Sequence, residues 1–395
     1  MKLRHRQATR LIKQKRNGSI LVLAAAMMVM ILAFTAFTID MGYIALTKTQ
    51  LQAASDAGAH ASGIELIQGF GPTPMSASSV AQLAKQAATD VSAAHQAGEV
   101  DSVYLAPNRD MRFGNLRWND VSESWDELWG TTPYNLVEVT LRRDQPLSGN
   151  GDGRLPLFFA PVIGHETAKL KVSATIAMIP SVGFRLRPGS NETLNMLPIT
   201  MDEETWENLI QFNSGPDNYF YDPETGQVRN ASDGVREANL YPDDDNSLPA
   251  GNRGTVDFGA DNNSTADIER QILYGLNEND LSYFPNNEIR LDVTPLDLSG
   301  DTGLSAGIKD ELATIVGESR IIPIFRSVSN PGNNAVFTIV RFVGVRIMAV
   351  RLTGANRYVY IQPDSFVDIH AVRGGDGTIS VIREDTVFAK PYLYR

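Results

Sequence analysis

Twenty consecutive residues, ILVLAAAMMVMILAFTAFTI from Ile20 to Ile39, carry no charge and only two polar side chains, Thr35 and Thr38. As a helix rising about 1.5 Å per residue, such a run is about 30 Å long, the hydrocarbon thickness of a bilayer. Each threonine hydroxyl can bond back to a carbonyl one turn earlier, so neither interrupts the run. The stretch from Ile20 through Leu32 to Ile39 therefore reads as a membrane span. A buried helix of a soluble protein is one alternative, but such helices are usually shorter. A cleaved secretory signal is the stronger rival. Against it, the run exceeds the ~7–15-residue apolar core of a signal, and no small-x-small cleavage site follows.

Charge orients the span. Residues 1–39 contain no Asp or Glu but do contain Lys2, Arg4, Arg6, Arg10, Lys13, Lys15 and Arg16. These cations immediately precede the apolar run, so the positive-inside rule leaves the N-terminus in the cytoplasm and everything after Asp40 across the membrane. The net charge of −11 over 395 residues thus hides a basic head and a more acidic body. An acidic body argues against nucleic acid, whose phosphates need clustered Lys and Arg. The chain has no cysteine, which removes disulfides, thiolate metal sites, cysteine nucleophiles and lipoprotein anchors together.

Beyond the span, MGYIALTKTQLQAASDAGAHASGIEL (41–66) contains no proline and suits a continuing helix. Ala53, Ala57 and Ala61 fall on one stripe at i, i+4, i+8, with Ala54, Gly58 and Ser62 beside them. Small residues at that spacing let a second helix approach closely. The plainer account is that alanine simply favours helices.

The rest of the chain reads as an α+β body, mainly antiparallel. After a linker-like GFGPTPMSASS, residues 79–97 suit an Ala-rich helix ending at Gly98 as C-cap. Val137, Val139 and Leu141, and then Leu170, Val172, Ala174, Ile176 and Met178, alternate with polar residues as half-buried strands do. Residues 181–300 are rich in Pro, Gly, Asn and Asp and read as loops, with short helices at 202–211 and near 265–275. VFTIVRFVGVRIMAVRL (336–352) and the segments after it are again strand-like. Three regions result: 1–67 with head, span and membrane-proximal helix; 68–180 with a helix and strands; and 181–395, α+β with a loop-rich start.

Chemistry is sparse in this chain. His5, His60, His95, His165 and His370 show no paired metal-ligand spacing. Gly303-Leu304-Ser305-Ala306-Gly307 matches the G-x-S-x-G nucleophile elbow, but an elbow needs a buried strand turning sharply into a helix. The preceding DLSGDTG looks polar and loop-like, so Ser305 reads more simply as a helix cap. Acidic residues at Asp243–Asp245 and at Asp257, Asp261 and Asp267 are of the type that binds calcium but lack its loop spacing. Solvated carboxylates are the simpler reading. No cofactor, metal or catalytic residue is assigned.

One resemblance goes further. RNGSILVLAAA around Gly18, then IDMGYIALTKTQLQAASDAGAHASG from Ile39 to Gly63, resembles the N-terminal pattern of TadG-type Flp pilus-assembly proteins of the Tad secretion system. That pattern has a basic stretch, a glycine, a long apolar run, Asp-x-Gly (here Asp40 to Gly42) and an LQxAxDA-type helix (here Leu51 to Asp56). More weakly, LVEVTLRR, LPLFFAPVIG and KLKVSATIAM within 111–178 resemble the following part of such proteins. Two features of the family are not carried over. The fifth residue after Gly18 is Leu23, where processed pseudopilins have glutamate, and Asp297-Leu298-Ser299-Gly300-Asp301 lacks the second serine of a metal-binding Asp-x-Ser-x-Ser. The resemblance implies a non-enzymatic single-pass component of a bacterial inner membrane with a periplasmic body. It would assist assembly, anchoring or export of a Flp-type pilus. Its partners would be other Tad/Flp assembly proteins or pilin, the lipid bilayer and, through the membrane-proximal helix, a second copy. The alternatives are a membrane-tethered serine hydrolase using Ser305 and a calcium-dependent adhesion or binding module.

Overall fold

A computed structural model describes residues 19–241, 252–259, 264–291, 296–332, 334–374 and 382–394. The first element, α1 (Ser19–Glu65), is one uninterrupted helix of 47 residues, about 70 Å long at helical rise. No residue from 20 to 39 is buried, whereas Asp40 is almost fully covered and buried positions recur from there onward. The helix therefore has an exposed apolar half that touches little of the protein and a half that belongs to the body. Within the apolar half, the Thr35 hydroxyl donates to the Ile31 carbonyl at 2.9 Å and that of Thr38 to Phe34 at 2.8 Å. Neither hydroxyl is left without an acceptor.

After a 3-10 turn, α2 (Ala77–Ala93) folds back along α1, its N-terminus capped by Ser76, whose hydroxyl accepts the Ser79 N–H. The helix stops four residues before the expected end, at Ala94 rather than at Gly98. Gly98 instead sits in the next turn at φ +67°, where a Cβ would lie 2.9 Å from the Tyr43 hydroxyl and 3.0 Å from Thr47 and Leu155. Its lack of a side chain lets the turn approach α1 and not the end of α2.

Both helices cover a mostly antiparallel sheet. Its strands are β1 (Met111–Asn119), β2 (Ser124–Trp129) and β3 (Leu136–Arg143), then, after the two-residue β4 (Leu155–Pro156) and β5 (Thr167–Ala168), β6 (Leu170–Ala177). The order is β2-β1-β3-β6, and the C-terminal Tyr392–Leu393 adds a fifth strand beside β6. The two alternating segments seen in the sequence pair with each other, Val137 opposite Ile176 and Val139 opposite Ala174. Their apolar faces bury against Leu51, Ala54, Ala59, Val80 and Ala84 of the helices.

The second half is strand-rich, as expected over 336–352 and beyond but also within 181–300, where loops were expected. Residues Ile199–Asp202, Arg253–Val256, Leu296–Thr302, Ala335–Arg351 and Ser319–Ser329 pair in that order and close on themselves, because Ser319–Ser329 pairs both with Ala335–Arg351 and, in parallel, with Ile199–Asp202. The polar string DLSGDTG lies within this ring as a strand and not as a loop. It alternates, burying Leu298 and Gly300 and exposing Asp297 and Ser299. Gly300 allows the close pass, since a Cβ there would sit 2.0 Å from the Thr255 carbonyl. The two short helices form as expected, at Glu203–Phe212 and Thr265–Tyr274, each with a side-chain cap (Asp202 and Ser264).

Candidate functional site

The chemically distinctive region is the stretch of α1 just beyond the apolar run, where the helix meets the body. Residues Thr47, Leu51, Ala54, Gly58 and Ser62 are all buried, a seam three to four residues apart along one face. The Ser55 hydroxyl donates to the Val139 carbonyl at 2.9 Å, and that of Ser62 to the Ala84 carbonyl of α2 at 3.0 Å. The small residues beside the expected stripe thus receive a helix, and that helix is the chain's own α2. Of the expected stripe itself, Ala53 is exposed, and Ala57 and Ala61 are half-buried. They flank the seam on α1, with exposed Leu46 and Ile64 on the same flank.

Two polar clasps fix where α1 enters the body. At its first covered turn, the Asp40 carboxylate accepts the N–H groups of Phe158 (2.9 Å), Phe159 (3.0 Å) and Ala160 (2.7 Å). These open the 3-10 helix Ala160–Ile163 between β4 and β5, so a carboxylate satisfies donors that the short helix leaves unpaired. One turn further on, the Tyr43 hydroxyl donates to Glu99 Oε2 at 2.9 Å. Glu99 is also bonded to Arg143, whose Nε and Nη1 reach the Gly153 and Ala97 carbonyls at 2.6 and 2.9 Å. The Gly98 N–H donates to Gln50 Oε1 at 2.9 Å. Asp40, Tyr43, Thr47 and Gln50 therefore form one polar edge of the seam, each touching a loop of the body.

Burial works against the charge on Glu99, but the Arg143 guanidinium, its own backbone and the Tyr43 hydroxyl outweigh that and hold its carboxyl below the usual glutamate value. A carboxyl depressed on folding stabilises the fold above its unfolded value, ~4.3, and loses that contribution as pH falls through the lower folded value. Glu99→Gln is therefore expected to be less stable than the parent chain at pH 7, with the gap in Tm closing as the pH is taken below about 4.

The other candidates are arranged as structure. Ser305 is exposed, has ordinary extended backbone (φ −68°, ψ 137°), and accepts the Gly307 N–H at 3.1 Å as the cap of a 3-10 turn. Ser305→Ala is expected to cost ~0.5–2 kcal/mol of stability and to leave any esterase turnover of the full chain unchanged; loss of turnover would reinstate the nucleophile. Asp267 pairs with Arg270 at 2.7 Å, Asp257 is buried, and Asp243–Asp245 and Asp261 lie outside the described residues. Asp297 accepts the Thr338 hydroxyl at 2.7 Å. Among the described residues no three His, Asp or Glu side chains converge as metal ligands. His95 contacts the Val91 carbonyl at 2.8 Å. His370 lies 3.4 Å from Asp368, whose carboxylate raises the imidazole above its ordinary value. His60 lines a groove of about 750 Å³ between the end of α1 and the second sheet, and His5 lies outside the described residues. The Arg346–Asp364 pair, 2.8 Å apart, stands in its wall.

The clasps could not be read from sequence, because their partners lie 56 to 120 residues from Tyr43 and Asp40. The one available signal was Asp40 itself, a lone acid at the exact foot of an uncharged run.

Residues 18–64 match the family described as "Putative Flp pilus-assembly TadE/G-like". The match coincides with α1 almost end to end, and so includes the apolar run, Asp40, and the buried seam. No curated protein and no solved structure matches the chain.

Proposed function

We propose that the chain is a non-enzymatic, single-pass component of a Tad/Flp-type pilus assembly or secretion apparatus. The observation that carries this reading is the match of residues 18–64 to the pilus-assembly family, over the helix that is apolar enough to cross a membrane and then packs into the body. The basic head preceding the run supports a cytoplasmic N-terminus, which puts the body in the periplasm of a bacterial inner-membrane protein. The protein acts there in assembly, anchoring or export of the pilus. Its partners are other Tad/Flp assembly proteins or pilin. With Ala54, Gly58 and Ser62 occupied by α2, the open stripe of Ala53, Ala57 and Ala61 is where a helix of such a partner, or of a second copy, docks.

Deleting the gene from its host is expected to abolish surface pili, with recovery on re-expression of the full chain. Normal piliation of the deletion strain would overturn the pilus role while leaving the membrane topology standing. Docking on the open stripe is tested by Ala57→Trp in the re-expressed chain: the fold is expected to hold, since Ala57 is not part of the buried seam, while piliation is lost.

A further inference from the structure

We infer that the loop between β4 and β5 enters the outer leaflet of the bilayer beside α1, with Phe158, Val162 and Ile163 among lipid acyl chains. The inference rests on α1 being a membrane span but concerns a second, separate membrane contact.

Three observations converge. Composition is the first: from Leu155 to Gly164 the chain reads LPLFFAPVIG, ten residues without a polar side chain, and Val162, Ile163 and Phe158 are 89, 74 and 64% exposed. Apolar side chains exposed together to that extent mark a surface that is covered in use. Position is the second. The loop stands against α1 across a small apolar groove of about 330 Å³, whose α1 wall includes Ala33, Ala36 and Phe37. Those three lie inside the uncharged run, and Ala33 is seven residues, about 10 Å, before Asp40. Whatever medium surrounds these turns of α1 also surrounds the loop, and an apolar span of bilayer length implies acyl chains.

The third observation is the backbone. Irregular chain is tolerated in hydrocarbon only when its polar groups are satisfied within the protein. Leu157 N–H donates to the Glu166 carbonyl at 3.0 Å, and those of Phe158, Phe159 and Ala160 to Asp40. Val162 N–H donates to the Phe159 carbonyl at 3.1 Å, Gly164 N–H to Pro161 at 3.0 Å and His165 N–H to Ala160 at 3.0 Å. Pro156 and Pro161 have no N–H to satisfy. Asp40 thus supplies a membrane-dipping loop with the acceptors that water would supply to an ordinary one, and its own charge stays at the outer end of the run with several donors on it. A short apolar loop of this kind, anchored at one edge to the end of the apolar run, dips into the membrane interface rather than across it.

The chain has no cysteine, so single variants of the full-length protein in liposomes carry one environment-sensitive fluorophore each: Val162→Cys in the loop, Val29→Cys in the span, and Val121→Cys as the water-exposed reference. Val121 is 96% exposed in the turn between β1 and β2, and the register of β1 on β3 carries that turn away from the β4–β5 end. The expected result is that Val162→Cys behaves like Val29→Cys: quenched by lipids bearing a nitroxide on the acyl chain and shielded from aqueous iodide. Val162→Cys as open to iodide as Val121→Cys, with Val29→Cys still quenched by lipid, would overturn the inference and leave the span intact. Shielding of Val162→Cys from both quenchers would also overturn it, since protein would then cover the loop. Iodide access to Val29→Cys would remove the span and the inference together.

Discussion

Replacing Asp40 by alanine is expected to detach residues 157–165 from α1 while leaving α1 helical. The carboxylate holds three consecutive N–H groups, two of which open a 3-10 turn too short to carry its own cap. Removing it strands these donors beside apolar side chains, where an unmade hydrogen bond is costlier than a made one is favourable. Amide hydrogen exchange at Phe158, Phe159 and Ala160 should accelerate on the order of tenfold or more, with little change at Val139 and Ile176 in the sheet. Asp40→Asn keeps one acceptor oxygen but adds a donor with nothing to receive it, so it should fall between the parent and alanine. Unchanged exchange in Asp40→Ala would mean that packing of Phe159 and Ile163 on α1, and not the carboxylate, holds the loop.

Gly58→Leu is expected to be the most destabilising single change in the α1–α2 seam. An added Cβ would already lie 2.5 Å from the Ser92 hydroxyl and 3.4 Å from the Ala88 carbonyl, with Val139 of β3 at 3.8 Å beyond. Three further carbons have no room between two helices and a sheet, and overpacking of this kind costs about 1–3 kcal/mol or more. Thermal unfolding of the full chain in detergent or lipid discs reads the loss. Gly58→Ala separates causes: helix propensity alone would favour alanine by about 1 kcal/mol, whereas the contact with Ser92 opposes it. Adding Ser92→Ala removes that hydroxyl, so the double variant should recover stability non-additively. Additive behaviour would show that α2 shifts freely, and that close packing at Gly58 does not matter.

Much of the architecture was legible because it rests on local pattern. The uncharged run, the proline-free continuation to Glu65, and the alternation at Val137–Leu141 and Leu170–Ala177 are decided within a few residues of themselves. Patterns failed where burial overrides composition. DLSGDTG looks like a loop, yet becomes a strand because both its neighbours, Arg253–Val256 and Ala335–Arg351, offer ladders to it and glycine admits them. The side of α1 that α2 occupies could not be read from the stripe of small residues. Ala53 and Ala54 are neighbours in sequence, and only the position of α2 separates an open alanine from a buried one.

Taken alone, the sequence determined that a single apolar helix with a basic lead would continue into an Ala-rich helix and then an acidic, mainly antiparallel body. Charge, run length and period are one-dimensional quantities, and they need no partner to be read. Only the tertiary structure decided how helix and body are joined. Asp40 meets Phe158–Ala160 and Tyr43 meets Glu99 and Arg143 across dozens of residues of chain, and a hydrogen bond between such distant segments depends on where the sheet has carried them. The same is true of the exposed loop: LPLFFAPVIG is an ordinary apolar core string until the fold sets it outside, against the exposed apolar turns of α1.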